Sequence, residues 1–361
     1  MTGSSKIKFL GIDRCFSDNQ GQLCNIYRSV GTSGQVVGGP HVTFFENNCK
    51  QISNRQYAIS VANASDGLFL SLIAAGIGPG DEILTTAYSF FATAESISRT
   101  GATPIFVDVD DHYHLDLSKA IVSERTRAIV VVNLFGDCVN FNEFEEFANR
   151  HSLLLFEDAA QSLYSSWNNI PSGKLGVASI YSFAPSKNIP GFSHGGCVVT
   201  DNEQIYRDVL VRKLHGKWNG LHEIIGYNSI MSSFEAAQIN YFMEMSDSWQ
   251  ARRTSIAEYF NNELQHLVEI PKTREHVVHS WHKYVIKPDN RTHVQECLTN
   301  SGIETSIHYA KLIPHEPAYN EKLGKYPVAQ ALSNCSLTIP LYPELNDSEV
   351  EYIVKCLRTC L

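Results

Sequence analysis

The sequence predicts an α/β fold: a large domain on a mixed, mostly parallel sheet sandwiched by helices, and a smaller C-terminal α+β domain. Three observations carry this. Short β-branched or apolar runs alternate with helix-like stretches from about residue 55 to 200, the pattern of βαβ units. After residue 230 the character changes to a long stretch poor in breakers, followed by mixed short elements. The chain has 361 residues, 43% of them hydrophobic and 19% charged, which suffices for a large core and two or three domains.

Along the chain, 57–62 reads as a strand and 65–75 as a helix. Gly76-Ile77-Gly78-Pro79-Gly80 is the stop that turns into a strand at 82–85. Further strands are expected at 104–109, 128–134, 153–157, 180–183 and 197–200. Residues 141–150 have the charge and apolar spacing of an amphipathic crossover helix covering one sheet face. From 233 to about 267 the apolar positions predict one long helix or two with a bend, the connector between a domain of residues 1–245 and one of 246–361. The tail adds a strand at 283–287, a helix at 292–301 and a final helix at 348–357, introduced by Pro343 and Asn346-Asp347. There is neither a fixed-period repeat nor a low-complexity segment, which excludes a solenoid or a disordered scaffold.

A formal charge of −9 gives no general attraction for nucleic acid or an acidic membrane surface. The nine cysteines are scattered and never spaced as CxxC, so they are expected to be reduced thiols in a cytoplasm. The first eight residues lack an apolar run, and no stretch approaches the ~20 apolar residues that span a bilayer. A soluble cytoplasmic protein is expected.

Three segments carry chemistry. In Phe156-Glu157-Asp158-Ala159-Ala160-Gln161 a buried strand ends in two acids and an amide, and open parallel sheets bind ligands beyond the carboxyl ends of their strands. Asp158 is placed where a cofactor would sit, although a strand-end acid serves equally as a cap or loop acceptor. In Tyr181-Ser182-Phe183-Ala184-Pro185-Ser186-Lys187 a second strand runs into a small-residue turn with one lysine, then Gly191 and Gly195-Gly196. A confined, partly desolvated lysine supplies the neutral amine that attacks an aldehyde such as that of pyridoxal phosphate (PLP). A lone lysine after a strand is otherwise a solvated surface charge. Asn63-Ala64-Ser65-Asp66-Gly67 leads small residues into a helix, a natural phosphate site, though taken alone Ser65 or Asp66 reads more simply as an N-cap.

Together these segments resemble the DegT/StrS family of PLP-dependent nucleotide-sugar aminotransferases, which have the fold-type-I architecture of aspartate aminotransferase. The likeness runs from about Gly38 to Cys360. Glu157 to Gln161 matches the family's Glu-Asp-Ala-Ala-Gln unaltered, and Ser182 to Lys187 its Ser-Phe-x-x-x-Lys. Asn63 to Leu68 matches its phosphate-binding start, with Ala64 and Ser65 replacing Gly and Thr. The resemblance implies that Lys187 bonds the cofactor covalently as a Schiff base, Asp158 pairs with the pyridinium nitrogen and Gln161 lies near the phenolic oxygen. It further implies that Phe90 covers the ring, that Ala64, Ser65 and Ser182 meet the phosphate, and that Asn228 reaches the phosphate of a neighbouring subunit. The active form would then be a homodimer with shared sites. Gly302 to Tyr309 and Pro314 to Tyr319 resemble members that aminate the C3 ketone of a nucleotide-linked hexose, in which His308 and Tyr309 would contact the sugar nucleotide. Interdomain packing explains that pair equally well. One departure is Ile230, where relatives carry an arginine.

The implied reaction moves an amino group from L-glutamate to a dTDP-linked 3-keto-6-deoxyhexose for amino-sugar and surface-polysaccharide biosynthesis. The alternatives are a C4 ketone or a non-catalytic regulatory protein on the same fold. A related sugar dehydratase would carry histidine in place of Lys187.

Overall fold

The computed structural model describes residues 6–321 and 325–361; residues 1–5, read above only for their lack of an apolar run, lie outside it. The chain opens with two helices absent from the sequence reading, α1 (Ile12–Ser33) and α2 (Pro40–Ser53). Gly21 and Gly31 inside α1 obscure its period. At α2 the signal was present: Pro40 in the first turn follows Gly38 and Gly39, both at positive φ.

Then come β1 (Tyr57–Val61), α3 (Ala64–Ala74), β2 (Glu82–Thr86), α4 (Ala92–Arg99), β3 (Thr103–Val107), β4 (Thr126–Val132), α5 (Phe141–His151) and β5 (Leu154–Asp158). A small ribbon, β6 (Ser166–Trp167) and β7 (Ile170–Pro171), precedes β8 (Ala178–Ser182), β9 (Gly196–Thr200) and α6 (Glu203–Arg212). Most expected strands are found with ends displaced by one or two residues, and α4 and α6 were not anticipated. The main sheet has the order β1-β9-β8-β5-β4-β2-β3. Only β9 runs against its neighbours; the other pairings are parallel.

Alternation along the strands builds a core on each face. Ile59, Val61 and Val198 join Leu68, Leu70 and Leu72 of α3 on one side; Ala58, Cys197 and Val199 join Phe45 of α2 and Phe242 on the other. α3 is apolar nearly all round because strands and neighbouring helices cover it. The mixed, mostly parallel sheet between helices is the predicted fold class.

A hairpin, β10 (Lys217–Trp218) with β11 (Leu221–His222), leads to α7 (Ser233–Met243) and α8 (Ser246–Leu264), so the long segment is two helices. Beyond them lie β12 (Val277–Val278), β13 (Tyr284–Ile286), α9 (Arg291–Asn300), α10 (Pro327–Cys335), β14 (Leu337–Ile339) and α11 (Asp347–Cys360). A separate apolar cluster unites Phe260, Tyr284, Leu298 and Ile353, and Ile7 joins it through a bridge to Ile303.

The structure corrects the expectation of nine reduced thiols. Cys297 of α9 and Cys360 of α11 are disulfide-bonded, with Cα atoms 5.9 Å apart. The two helices pack side by side, which a sequence separation of 63 residues concealed. Among the described residues, no helix is long and apolar enough to cross a membrane.

Candidate active site

A cavity of about 580 Å³ opens beyond the carboxyl ends of β5 and β8. Its lining includes Ala64, Ser65, Phe90, Asp158, Gln161, Ser182, Lys187, His308 and Tyr309, so nine of the ten residues singled out in the sequence share one wall.

Strand alternation separates the two acids at the end of β5. Glu157 is fully buried away from the cavity, where it accepts from Asn133 Nδ2 at 2.6 Å, Ser179 Oγ at 2.8 Å, Ser172 Oγ at 2.9 Å and Gly173 N at 2.9 Å. Asp158 faces the cavity and accepts from Thr93 Oγ1 at 2.7 Å and Ala160 N at 3.2 Å. Burial raises the Asp158 carboxyl above its ordinary range, opposed by those donors and by the charge of Lys187.

Lys187 is fixed by the turn after β8: its N–H donates to Ala184 O at 2.9 Å, and Gly191 N–H closes the loop onto Phe183 O at 2.7 Å. Among the described residues its ammonium has no acceptor. Burial brings it down to about 8, against the pull of Asp158. A depressed amine is neutral above its pKa, so attack on an aldehyde should quicken as pH rises through about 8 and then level off. Stopped-flow mixing of the cofactor-free protein with PLP across pH measures this; a rate still climbing to the ordinary lysine range near 10.4 would contradict it.

Gln161 is held at both ends of its amide: Phe135 N donates to Oε1 at 3.1 Å, and Nε2 donates to Tyr309 Oη at 3.0 Å. Tyr309 N donates to the Tyr88 hydroxyl at 2.9 Å, and that hydroxyl donates to His308 O. The His308 ring meets Thr338 Oγ1 through Nδ1 at 2.8 Å and stacks 5.8 Å from Phe9. Burial and two neighbouring lysines push it down to about 3, so it is neutral. Phe90 borders the cavity yet is 59% exposed.

At the start of α3 the N-cap is Asn63, whose side chain accepts from Asp66 N at 2.8 Å; Ser65 and Asp66 do not cap. The first-turn N–H groups of Ala64 and Ser65 have no intrahelical acceptor. A Cβ on Gly196 would stand 2.5 Å from Asn63 C and 2.7 Å from Ala64 N, so the close approach of β9 to this helix start requires glycine.

Asn228 does not line the cavity of its own chain. It is exposed and makes an isolated bridge to Leu214, and Ile230 also lies outside the cavity. Phe9, Thr93, His282 and Lys283 are among the lining or supporting residues that the sequence did not single out. Only Lys283 left a signal, a charge at the head of an otherwise apolar strand.

A model of the DegT/DnrJ/EryC1/StrS aminotransferase family matches residues 19–358. The chain is 32% identical over 360 residues to a pleiotropic regulatory protein of Geobacillus stearothermophilus, covering 97% of each. It is 30% identical over 329 residues to the UDP-2-acetamido-2-deoxy-3-oxo-D-glucuronate aminotransferase of Pseudomonas aeruginosa, covering 90% of this chain and 92% of the relative. The crystal structure of S. venezuelae DesV superimposes with a TM-score of 0.95 at 28% identity, over 99% of this chain and 98% of that one. The chain belongs to the DegT/DnrJ/EryC1/StrS aminotransferase family, PLP-dependent sugar aminotransferases of fold type I.

Proposed function

We propose that this enzyme transfers an amino group from L-glutamate to a dTDP-linked 3-keto-6-deoxyhexose, with Lys187 as its catalytic residue. The observation that carries the reading is the half-buried, acceptor-free amine of Lys187 in one cavity with the half-buried carboxylate of Asp158. The residues fit pyridoxal phosphate: an amine for its aldehyde, a carboxylate for its ring nitrogen, and a helix start plus Ser182 for its phosphate. When bound, the cofactor supplies an electron sink for the charge left as a substrate proton departs.

The chain's own residues do the rest. Lys187 takes the proton from the substrate carbon and returns it on the other side of the reaction, acting as base and acid from one position. Asp158, held by Thr93 and Ala160, keeps a negative charge where the ring nitrogen needs it. Gln161 is fixed by Phe135 and Tyr309 as a contact for the ring's phenolic oxygen, and Phe90 is the ring cover. His308, neutral, and Tyr309 are sugar-nucleotide contacts.

The active form in this reading is a homodimer. Asn228 lies exposed outside its own cavity, and Ile225 at 84% and Leu221 at 69% exposure leave apolar surface beside it. We place the domain boundary between α7 and α8, at residues 245 and 246, and the protein in the cytoplasm. Incubation with L-glutamate and a panel of dTDP- and UDP-linked 3- and 4-keto hexoses, read by product mass, tests the substrate. The dTDP-3-keto sugar should gain an amino group; amination of a 4-keto sugar alone would move the ketone. Because one relative carries a regulatory name, amination of nothing by the loaded enzyme would favour the non-catalytic reading.

A further inference from the structure

We propose that Lys283 is the carboxylate-binding residue of the cavity, its ammonium pairing with a carboxylate that arrives on a substrate; this deepens, and rests on, the transamination reading. The segment that carries it is rigidly placed. Ser280 N–H donates to Gly136 O at 2.8 Å and Lys283 N–H to Phe135 O at 3.1 Å. Gly136 has a φ of +103°, and a Cβ there would stand 2.8 Å from the backbone nitrogens of Trp281 and His282. Residues 280–283 therefore lie flat against the 135–136 turn that follows β4, ahead of β13.

The Lys283 side chain lines the cavity with Lys187, His308 and Phe9, and its ammonium sits 4.9 Å from the centre of the Phe9 ring. The residue is 7% exposed. Among the described residues the ammonium meets neither a carboxylate nor a hydrogen-bond acceptor. A lysine with nothing to bind normally extends its head into water. Burying an ammonium with no anion is costly, and a ring face replaces only part of its hydration.

The surrounding charges deepen the deficit. Lys187 and Arg253 are cations, and Arg253 already donates to the carbonyls of Trp281 and Leu341. Burial and those cations hold the Lys283 ammonium down to about 7. His282 and His308, also near, are kept neutral by burial and by the same lysines. What the site lacks is one negative charge with lone pairs, and a carboxylate supplies it through a charge-assisted hydrogen bond. Two sources share that chemistry: the amino-acid donor, the sole source when the sugar is the 6-deoxyhexose proposed above, and the C6 carboxylate of a hexuronate, which would replace that sugar as substrate.

The test compares the PLP-loaded wild type with Lys283→Gln and Lys283→Arg in each half-reaction. One arm uses L-glutamate; the other uses the pyridoxamine form with nucleotide-linked 3-keto hexoses that carry or lack the C6 carboxylate. Lys283→Gln should raise KM for the partner whose carboxylate is bound by about 10- to 100-fold, while kcat changes less than about threefold. Lys283→Arg should recover most of that loss. A rise with glutamate assigns the donor; a rise confined to the carboxylated sugar assigns the uronate. Unchanged KM in both arms, or weakened binding of a nucleoside diphosphate alone, overturns the proposal.

A second readout needs no turnover. Removing an unpaired buried cation should raise the melting temperature of ligand-free Lys283→Met by about 2 °C. A lower melting temperature would make Lys283 structural and overturn the assignment. If the wild type aminates no sugar, the substrate reading fails separately, and the glutamate half-reaction with the melting temperatures decides Lys283.

Discussion

Lys187→Ala should lose turnover by at least about 10²–10⁴-fold, the usual contribution of a positioned acid–base group, because the proton carrier and the covalent anchor vanish together. The fold should survive. The Lys187 ammonium has no acceptor among the described residues, so the change breaks no side-chain hydrogen bond and relieves the burial of a charge. The loop itself is held by backbone bonds of Lys187 and Gly191, which alanine keeps. The variant should still take up PLP through the α3 start, Ser182 and Asp158, without a covalent link. Borohydride reduction followed by peptide mapping separates the two proteins: an adduct on Lys187 in the wild type and none in the variant. Near-normal turnover in Lys187→Ala, or an adduct on another lysine, would remove Lys187 from the chemistry.

Asp158→Asn should slow turnover on the order of 10³-fold, the scale seen when a preorganised electrostatic contact is deleted from a dry site. The substitution is nearly isosteric, and the packing around it can stay. Ala160 N–H keeps an oxygen to bond, and the Thr93 hydroxyl can turn to accept from the new amide. What disappears is the charge, and a neutral amide cannot favour a protonated ring nitrogen. The loss should therefore appear mainly in kcat of the first half-reaction while circular dichroism and melting temperature stay close to wild type. A drop smaller than about tenfold would mean that Asp158 is a loop acceptor, the alternative its strand-end position allowed.

Asp158 was legible because it ends an apolar strand and Lys187 because it sits on the small-residue turn after one, and strand ends are where an α/β sheet exposes its chemistry. Periodicity could not show how Asp158 is held, since Thr93 comes from α4, a helix too short to announce itself. Phe9 and Lys283 reach the cavity only through tertiary packing, from opposite ends of the chain. The same holds for Cys297 and Cys360, which are brought together by adjacent helices across 63 residues. α1 was hidden by its own glycines and polar residues, whereas the Gly-Gly-Pro start of α2 was a signal that could have been read. Asn228 was singled out with the cavity residues and lies outside the cavity of its own chain.

The opposed acids at the end of β5 make this strand tolerant of one kind of mutational drift and intolerant of another. Exchanging one apolar residue for another of similar volume changes stability by under about 1.5 kcal/mol and leaves both acids in place. Inserting or deleting a single codon in the strand slides it by one residue and turns every side chain to the other face. A slip in one direction would bring Glu157 to the cavity position, one methylene too long; a slip in the other would deliver Asp158 to the nest of Asn133, Ser172 and Ser179 that Glu157 fills in the native register. The sheet could still form around such a slip, with its chemistry inverted. Among descendants of this gene, length variation should therefore collect in the surface connections and stay out of the few codons before Asp158.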